Sequence, residues 1–497
     1  MIALQDSYRQ IMKATSVFGG VQVINILLQI VKSKLVAILL GPGGMGIHGL
    51  LIATQGFIGS LTGFGLGISG VKDVAAAKET GDNRRVSTII AVLNRWIWVT
   101  GLLGVIVTLI FAPLLSQFAF GSKHYTLAFI WIAITLLFNQ VSAGQLVILQ
   151  GLRKIKFLAN ASITGSLLGL VISVPIYFLW KIDGIVPAII ATSLANMIRT
   201  WYFAKKVKLD NIIVNRETII HDGKNMLRMG FILSLSGLVT MGASFLVRVY
   251  ISNTGGINDV GLYTAGFAII VNYVGVVFTA MSMDYYPRLS GIAHDNVKAN
   301  SMINQQAEIA ILLLSPILTI FMVFINWVII LLYSSSFIEI KGMIQWAALG
   351  MFFKAVSWSI AYVFLAKGES KLFLWNELFT NVYLLVINIL GYKYGGLNGL
   401  GVSFFIAYIL YFIQVYFVAK IKFEFKLSKS LVRILIIQFS IGIICFLIVK
   451  FSSSFITFGF GSVMILISGA FSLFELNKKL GMRSLFLQIK NKGKRKY

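Results

Sequence analysis

The sequence predicts an all-α polytopic membrane protein. About fourteen transmembrane helices form two six-helix bundles related by an internal repeat, with two further helices at the C-terminal end. Three observations carry this prediction. First, hydrophobic residues make up 58% of the chain and charged residues 12%, with a mean hydropathy of +0.86, whereas about a quarter of the residues in a soluble domain are charged. Second, the apolar blocks run for roughly 20 residues or more without period-two alternation, so helices and not a closed barrel satisfy the backbone in lipid. Third, landmarks recur at a constant spacing: Lys34 with Arg248 (214 residues apart), Gly46 with Gly261 (215) and Lys72 with Arg288 (216). Such a spacing is the signature of a duplication.

Apolar blocks between polar breaks place spans near 14–40, 44–70, 86–118, 126–150, 157–180, 183–204, 228–252, 259–284, 305–333, 342–366, 372–392, 397–419, 431–449 and 454–475. The N-terminal residues are polar and lead into a full-length span, so no cleaved signal peptide is expected. Further repeat pairs are Asp183-Gly184 with Asn398-Gly399 and Tyr202-Phe203 with Tyr416-Phe417. The first six spans therefore recur as spans seven to twelve in the same orientation, which puts the symmetry axis along the membrane normal and leaves a cavity between like bundles. The expected division is 1–204 (first bundle), 205–227 (cytoplasmic linker), 228–420 (second bundle), 421–475 (two added helices) and 476–497 (basic tail). The tail is open to two readings, an interfacial helix on the anionic leaflet or a solvated stub.

Net charge is +26, but its distribution speaks for topology. The N-terminus, alternate loops and tail hold 33 of the 43 Lys and Arg residues, and the opposite loops hold 5. This positive-inside bias puts both termini in the cytoplasm and makes nucleic acid an unneeded partner. The single cysteine, Cys445, lies in an apolar run and reads as a buried hydrophobe. No phosphate-binding glycine loop, zinc motif or nucleophile elbow is present, and the four histidines are scattered. An enzyme is therefore not expected, and neither is a cofactor or metal.

The candidate site residues are polar groups inside spans, each costing roughly 3 kcal/mol at mid-bilayer if charged. Gln22, Asn25, Gln29 and Lys32 step by three, four and three residues and so share one helical face. Lys34 follows, and its repeat mate Arg248 closes span seven. Lys354 lies centrally in span ten, where Glu377 of span eleven is a candidate counter-ion; Arg95 follows closely on a cytoplasmic loop and reads as snorkelling. Gly41, Gly43, Gly44 and Gly46 form one hinge, answered by Gly255, Gly256 and Gly261, and all of these also suit close helix packing. His48 and Tyr263 occupy matched positions after the hinges. Surplus cations suit an anion, and Lys or Arg would hold a phosphate by charge-assisted hydrogen bonds.

LGPGGMG at Leu40–Gly46, NDVGLY at Asn258–Tyr263 and YYPRLS at Tyr285–Ser290, set in two six-helix bundles with two extra helices, resemble the polysaccharide transporters of the multidrug/oligosaccharidyl-lipid/polysaccharide flippase superfamily. They look most like the O-antigen flippase (Wzx) group. Two departures stand out: His48 where the family often has the Tyr kept at Tyr263, and Lys34 where span one usually ends in Arg. The resemblance implies translocation of an undecaprenyl-diphosphate-linked oligosaccharide from the cytoplasmic to the periplasmic face of a bacterial inner membrane. Membrane lipids and other polysaccharide assembly proteins would be its partners, and the membrane potential or an ion gradient would drive it. On that reading Lys32, Lys34, Arg248 and Lys354 hold the diphosphate, the Gln22, Asn25 and Gln29 face meets sugar hydroxyls or water, and Glu377 or Asp284 carries any coupled cation. Two alternatives stay open: a MATE-like multidrug or metabolite exporter, and a membrane polysaccharide polymerase or glycosyltransferase.

Overall fold

The computed structural model describes the backbone of residues 2–207, 212, 214–452 and 454–480, and the side chains of 24–207, 212, 214–282, 284–452 and 457–479. Among these residues the regular structure is helical, with no strand. The helices are α1 (Ile2–Thr62), α2 (Leu66–Glu79), α3 (Asn83–Phe120), α4 (Thr126–Gly151), α5 (Ile155–Trp180), α6 (Ile185–Lys205), α7 (Arg216–Thr254) and α8 (Ile257–Phe267). They continue as α9 (Val276–Gly291), α10 (Asn296–Val323), α11 (Ile325–Leu332), α12 (Lys341–Ala366), α13 (Ser370–Phe423), α14 (Lys429–Phe451) and α15 (Ser454–Leu480).

Among the described residues eleven runs are long and apolar enough to cross a membrane, against the fourteen spans expected of the whole chain. Three of the eleven, 24–62, 155–205 and 370–423, are broken near their middles at Gly41, Lys181–Gly184 and Gly396, and each covers two of the expected spans. Helices also reach into segments expected to be loops. Lys72 lies in α2, past the expected end of the second span at residue 70, and the second half of the expected linker is already α7. The start of the tail continues α15, and residues 481–497 lie outside the described residues.

Backbone conformation repeats with the sequence. Left-handed residues occur at Gly41 and Gly256, at Arg153 and Gly368, and at Lys181 and Gly396, each pair 215 residues apart. Asp82 and Asp295, 213 apart, each cap the following helix with a side-chain oxygen. Outside the membrane segments, hydrogen bonds from the Lys298 backbone and ammonium hold the Asp295 carboxyl below the usual carboxylate range. The hairpins match too: Gly184 packs on the Ile176 carbonyl and Gly399 on the Gly391 carbonyl, the same pair shifted by 215.

Two compact units emerge, residues 1–264 with 332–337, and residues 265–331 with 338–497. The first unit includes α7 and most of α8, so its boundary falls inside the second copy of the repeat. Glycines explain this packing. A Cβ on Gly65 would lie 2.0 Å from the Gly230 carbonyl oxygen, so α7 passes directly over the left-handed break between α1 and α2. Phe245 of α7 stacks on Phe57 of α1 at 5.4 Å, and Asn253 Nδ2 donates to the Phe118 carbonyl at 2.9 Å. Within the second unit, buried Glu308 of α10 pairs with Lys479 of α15, and Arg433 of α14 pairs with Glu475 at 2.7 Å. The two added helices are thus pinned to each other and to α10.

The hinge residues divide their labour. Only Gly41 breaks α1, with φ 65° and ψ −172°, a conformation that excludes a side chain at little cost only in glycine; Pro42, which has no N–H to lose, starts the second half. Gly43, Gly46 and Gly49 instead face Asn258, Ile257 and Thr264 of α8. A Cβ on Gly46 would lie 2.0 Å from the Ile257 oxygen, and one on Gly261 would lie 1.9 Å from the Pro42 oxygen. The shift of 215 turns the first contact into the second, and pairs Gly43 with Asn258 and Gly49 with Thr264, so a local two-fold runs through this crossing. In Gly46→Ala the backbone must separate, which costs about 1–3 kcal/mol. The expected loss in unfolding temperature is about 1–3 °C, read by thermal denaturation in detergent, with Gly56→Ala, whose Cβ meets nothing within 4 Å, unchanged.

Candidate functional site

The predicted residues of the first unit lie along α1 on both sides of its break and on α7 and α8. Asn25 is held by α5, donating to Ser162 Oγ at 2.9 Å and accepting from Ser166 Oγ at 3.0 Å. Its amide is therefore engaged in helix packing, whereas Gln29 on the same stripe is exposed. The Gln22 side chain lies outside the described residues. Lys32 and Lys34 are half-buried on the turns before the break. Lys32 lies within electrostatic range of the His48 imidazole beyond it, so the break folds two nitrogen groups sixteen residues apart into one neighbourhood.

Arg248 shows how the second copy differs. Its Nη1 donates to the Ser244 carbonyl at 3.0 Å and to Ser244 Oγ at 2.5 Å, and its guanidinium lies over the buried Tyr263 ring at 5.4 Å. Its Nε is buried and has no hydrogen-bond partner among the described residues. The side chain is thus oriented by its own helix and by Tyr263, with donor capacity left over. At the matched positions the first copy has Lys34 and His48, so one half of the repeat carries a ring-backed guanidinium and the other a lysine at the end of its span and an imidazole within electrostatic range of Lys32.

In the second unit, Lys354 of α12 sits among Tyr408 at 5.1 Å and Phe278 and Phe404 at 5.8 Å, measured to the ring centroids. The expected neutralisation by Glu377 does not occur: Lys354 forms no ion pair among the described residues, and Glu377 Oε1 accepts from the Tyr411 hydroxyl at 3.1 Å. Glu377 belongs to a polar seam along α13. Gln414 donates to Asn376 Oδ1 at 2.7 Å and to Thr380 Oγ1 at 3.2 Å, while Asn376 Nδ2 and Gln414 Oε1 are buried without partners among the described residues. Asp284, by contrast, is exposed near the middle of α9 and paired with Arg288 at 2.9 Å.

Sequence reasoning missed Arg199, which is half-buried in α6 with Nε donating to Thr164 Oγ1 at 3.4 Å. Its position several residues inside the predicted sixth span was the available signal. It also missed the Asn376, Thr380 and Gln414 seam, which brings together residues more than thirty positions apart and so has no local pattern.

Comparison with known proteins adds the family. The family model described as "Polysaccharide biosynthesis protein" matches residues 11–293. No curated protein sequence matches. Among solved structures, an inward-facing multidrug resistance MATE family transporter of the MOP superfamily superposes with a TM-score of 0.67 at 18% identity, covering 82% of this chain and 98% of that one. The lipid II flippase MurJ in an inward closed conformation superposes with a TM-score of 0.66 at 13% identity, covering 94% and 99%. A MOP superfamily transporter from Pyrococcus furiosus, described as having a binding pocket of reversed polarity, gives 0.58 at 18% identity over 82% and 96%. At these identities the likeness establishes the fold.

Because Arg248 holds a charge that its surroundings only partly satisfy, removing that charge does not weaken the fold. Arg248→Met keeps the apolar stem, and its unfolding temperature is expected to equal or exceed that of the wild type. A fall of more than about 5 °C would assign Arg248 to structure.

Proposed function

This chain belongs to the polysaccharide biosynthesis protein family, and from that premise we propose that it is a flippase for oligosaccharide carried on a lipid diphosphate. It moves the head group from the cytoplasmic to the outer face of a bacterial inner membrane by alternating access, both termini being cytoplasmic. The substrate class is an undecaprenyl-diphosphate-linked repeat unit of O-antigen or a similar surface glycan. The observation that carries this reading is the set of cations held inside predicted spans, Lys32 and Lys34 at the α1 break, Arg248 over Tyr263, and Lys354 without an acidic partner among the described residues. Cations inside predicted spans of each unit suit a multiply charged phosphate anion, and the surplus of positive charge weighs against a cationic drug as cargo.

The lipid tail stays in the bilayer while only the charged, hydrated head crosses. An inside-negative potential favours outward movement of an anion by roughly 2.3 kcal/mol per charge per 100 mV, so no nucleotide is required. Where a cation exchanges against the substrate, Glu377 is its carrier. It is a carboxylate inside a predicted span, fixed by Tyr411 and bordered by polar atoms that lack partners among the described residues, whereas the exposed Asp284–Arg288 pair is poorly placed for the role.

Lys34→Ala and Arg248→Ala each remove a phosphate ligand worth about 1.5–3 kcal/mol, a loss of roughly 10- to 100-fold in transport. In cells that depend on the glycan, finished lipid-linked repeat units should accumulate on the cytoplasmic face. Undiminished surface glycan at unchanged protein level refutes the diphosphate role. Separately, Glu377→Gln in proteoliposomes is expected to abolish the response of flipping to an imposed ion gradient while substrate binding persists; a retained response removes Glu377 from coupling.

A further inference from the structure

Beside Lys354 lies a set of aromatic residues that the diphosphate reading leaves without a role. Lys354, Trp358 and Tyr362 are four residues apart on α12 and therefore share one helix face over about 12 Å. Rings of α9 line the same face. Trp358 packs against Phe278 at 5.2 Å, Tyr285 at 5.7 Å and Tyr362 at 5.2 Å, and Tyr362 meets Tyr286 at 6.0 Å. On the other side of Lys354, Tyr408 leads to Tyr411 at 6.2 Å and so to Glu377. The result is a continuous ladder of rings interrupted by one cation.

The rings do different jobs. Tyr285 is 2% exposed and donates its hydroxyl to the Ser359 carbonyl at 2.7 Å, which makes it the packing floor between α9 and α12. Trp358 and Tyr362 remain only partly covered, and Tyr286 is 42% exposed. Among the described residues neither the Trp358 indole N–H nor the Tyr362 hydroxyl has a hydrogen-bond partner. A belt of aromatic residues at the membrane interface accounts for Tyr362 and Tyr286, which lie near the ends of their helices. It does not account for Trp358, about 12 Å along the axis from Ala366, or for a cation one turn deeper.

Rings with open faces and unmet donors, beside a cation, are suited to a ligand with an apolar C–H face, a hydroxyl edge and a nearby anion. We propose that Trp358, Tyr362 and Tyr286 form a subsite on which the sugar rings of the substrate stack, with Lys354 at its deep end holding the phosphate that precedes them. This rests on the reading of the substrate as a glycan carried on a lipid diphosphate. Stacking on a ring face depends little on hydroxyl stereochemistry, so the subsite grips the glycan by its length and tolerates variation in sugar identity.

The test uses the full chain in lipid nanodiscs and two probes, undecaprenyl diphosphate without sugar and undecaprenyl diphosphate bearing a hexosamine-initiated trisaccharide. Binding is measured for both, with thermal stability alongside. The trisaccharide probe is expected to bind more tightly, and Trp358→Ala and Tyr362→Ala each to weaken it by roughly 3- to 10-fold with the bare lipid unchanged. Trp358→Phe, which preserves packing and the ring face, should retain most of the affinity. Equal weakening of both probes, or of neither, overturns the subsite. If the wild type binds the bare lipid and the trisaccharide adds nothing, the ladder falls and the diphosphate reading stands; if it binds neither probe, both fall.

Discussion

A backbone amide without a partner in hydrocarbon costs several kcal/mol, so a chain that breaks its helices next to or within apolar spans must cover each break with other protein. This chain turns between predicted spans at Gly41, at left-handed Gly256 and at Gly396, and breaks within one at Phe64–Gly65. The cover is supplied mostly by glycine. Pro42 begins the second half of α1 without an N–H, and its carbonyl is overlain by Gly261, while Gly46 lies against Ile257 by the same contact in reverse. The Phe64–Gly65 break is overlain by Gly230 of α7. Close approach of small residues holds these crossings together, and it determines where the polar groups flanking each break can reach.

The duplication supplies a symmetric frame on which asymmetric chemistry is mounted. Break positions, helix caps and the tight hairpin contacts recur at shifts of 213 to 215 residues, because backbone geometry has few ways to turn sharply between one helix and the next. Side chains at the matched positions have diverged. Arg248 is backed by Tyr263 and tied to Ser244, whereas Lys34 and His48 stand at the corresponding places and Lys32 has been drawn towards the imidazole. Arg153 and Lys181 occupy left-handed positions that the second copy gives to Gly368 and Gly396. The frame therefore tolerates strain in one half that the other avoids, and no equal division of the head-group contacts follows from the repeat.

The stripe Asn25, Gln29 and Lys32 was legible before any coordinates, because helical periodicity alone puts those residues on one face. Its division into a packing residue and exposed ones was not, since that depends on Ser162 and Ser166 of a helix some 140 positions away. In sequence Glu377 is a candidate counter-ion for Lys354, since both are charges inside adjacent spans, beside the alternative that Lys354 is left to hold a phosphate. Their separation follows from Tyr411, which takes the carboxylate, and from the rings of α9 and α13, which surround the ammonium. Arg199 lies near the C-terminal end of the predicted sixth span, where hydropathy locates the end of a helix only to within a turn or so, so its charge did not stand out from the basic linker that follows.

The sequence by itself determined the helical membrane class, the repeat and its spacing, and the cations inside spans. These depend on sums and periods along the chain, which hydrophobic transfer and helix geometry convert directly into structure. Tertiary structure decided that α7 packs with the first six spans, that three hinge glycines serve contact instead of bending, and that Lys354 lies among aromatic rings and not beside a carboxylate. Those outcomes turn on distances through space of a few ångströms between residues far apart in the chain, where one absent Cβ or one hydroxyl settles which groups meet.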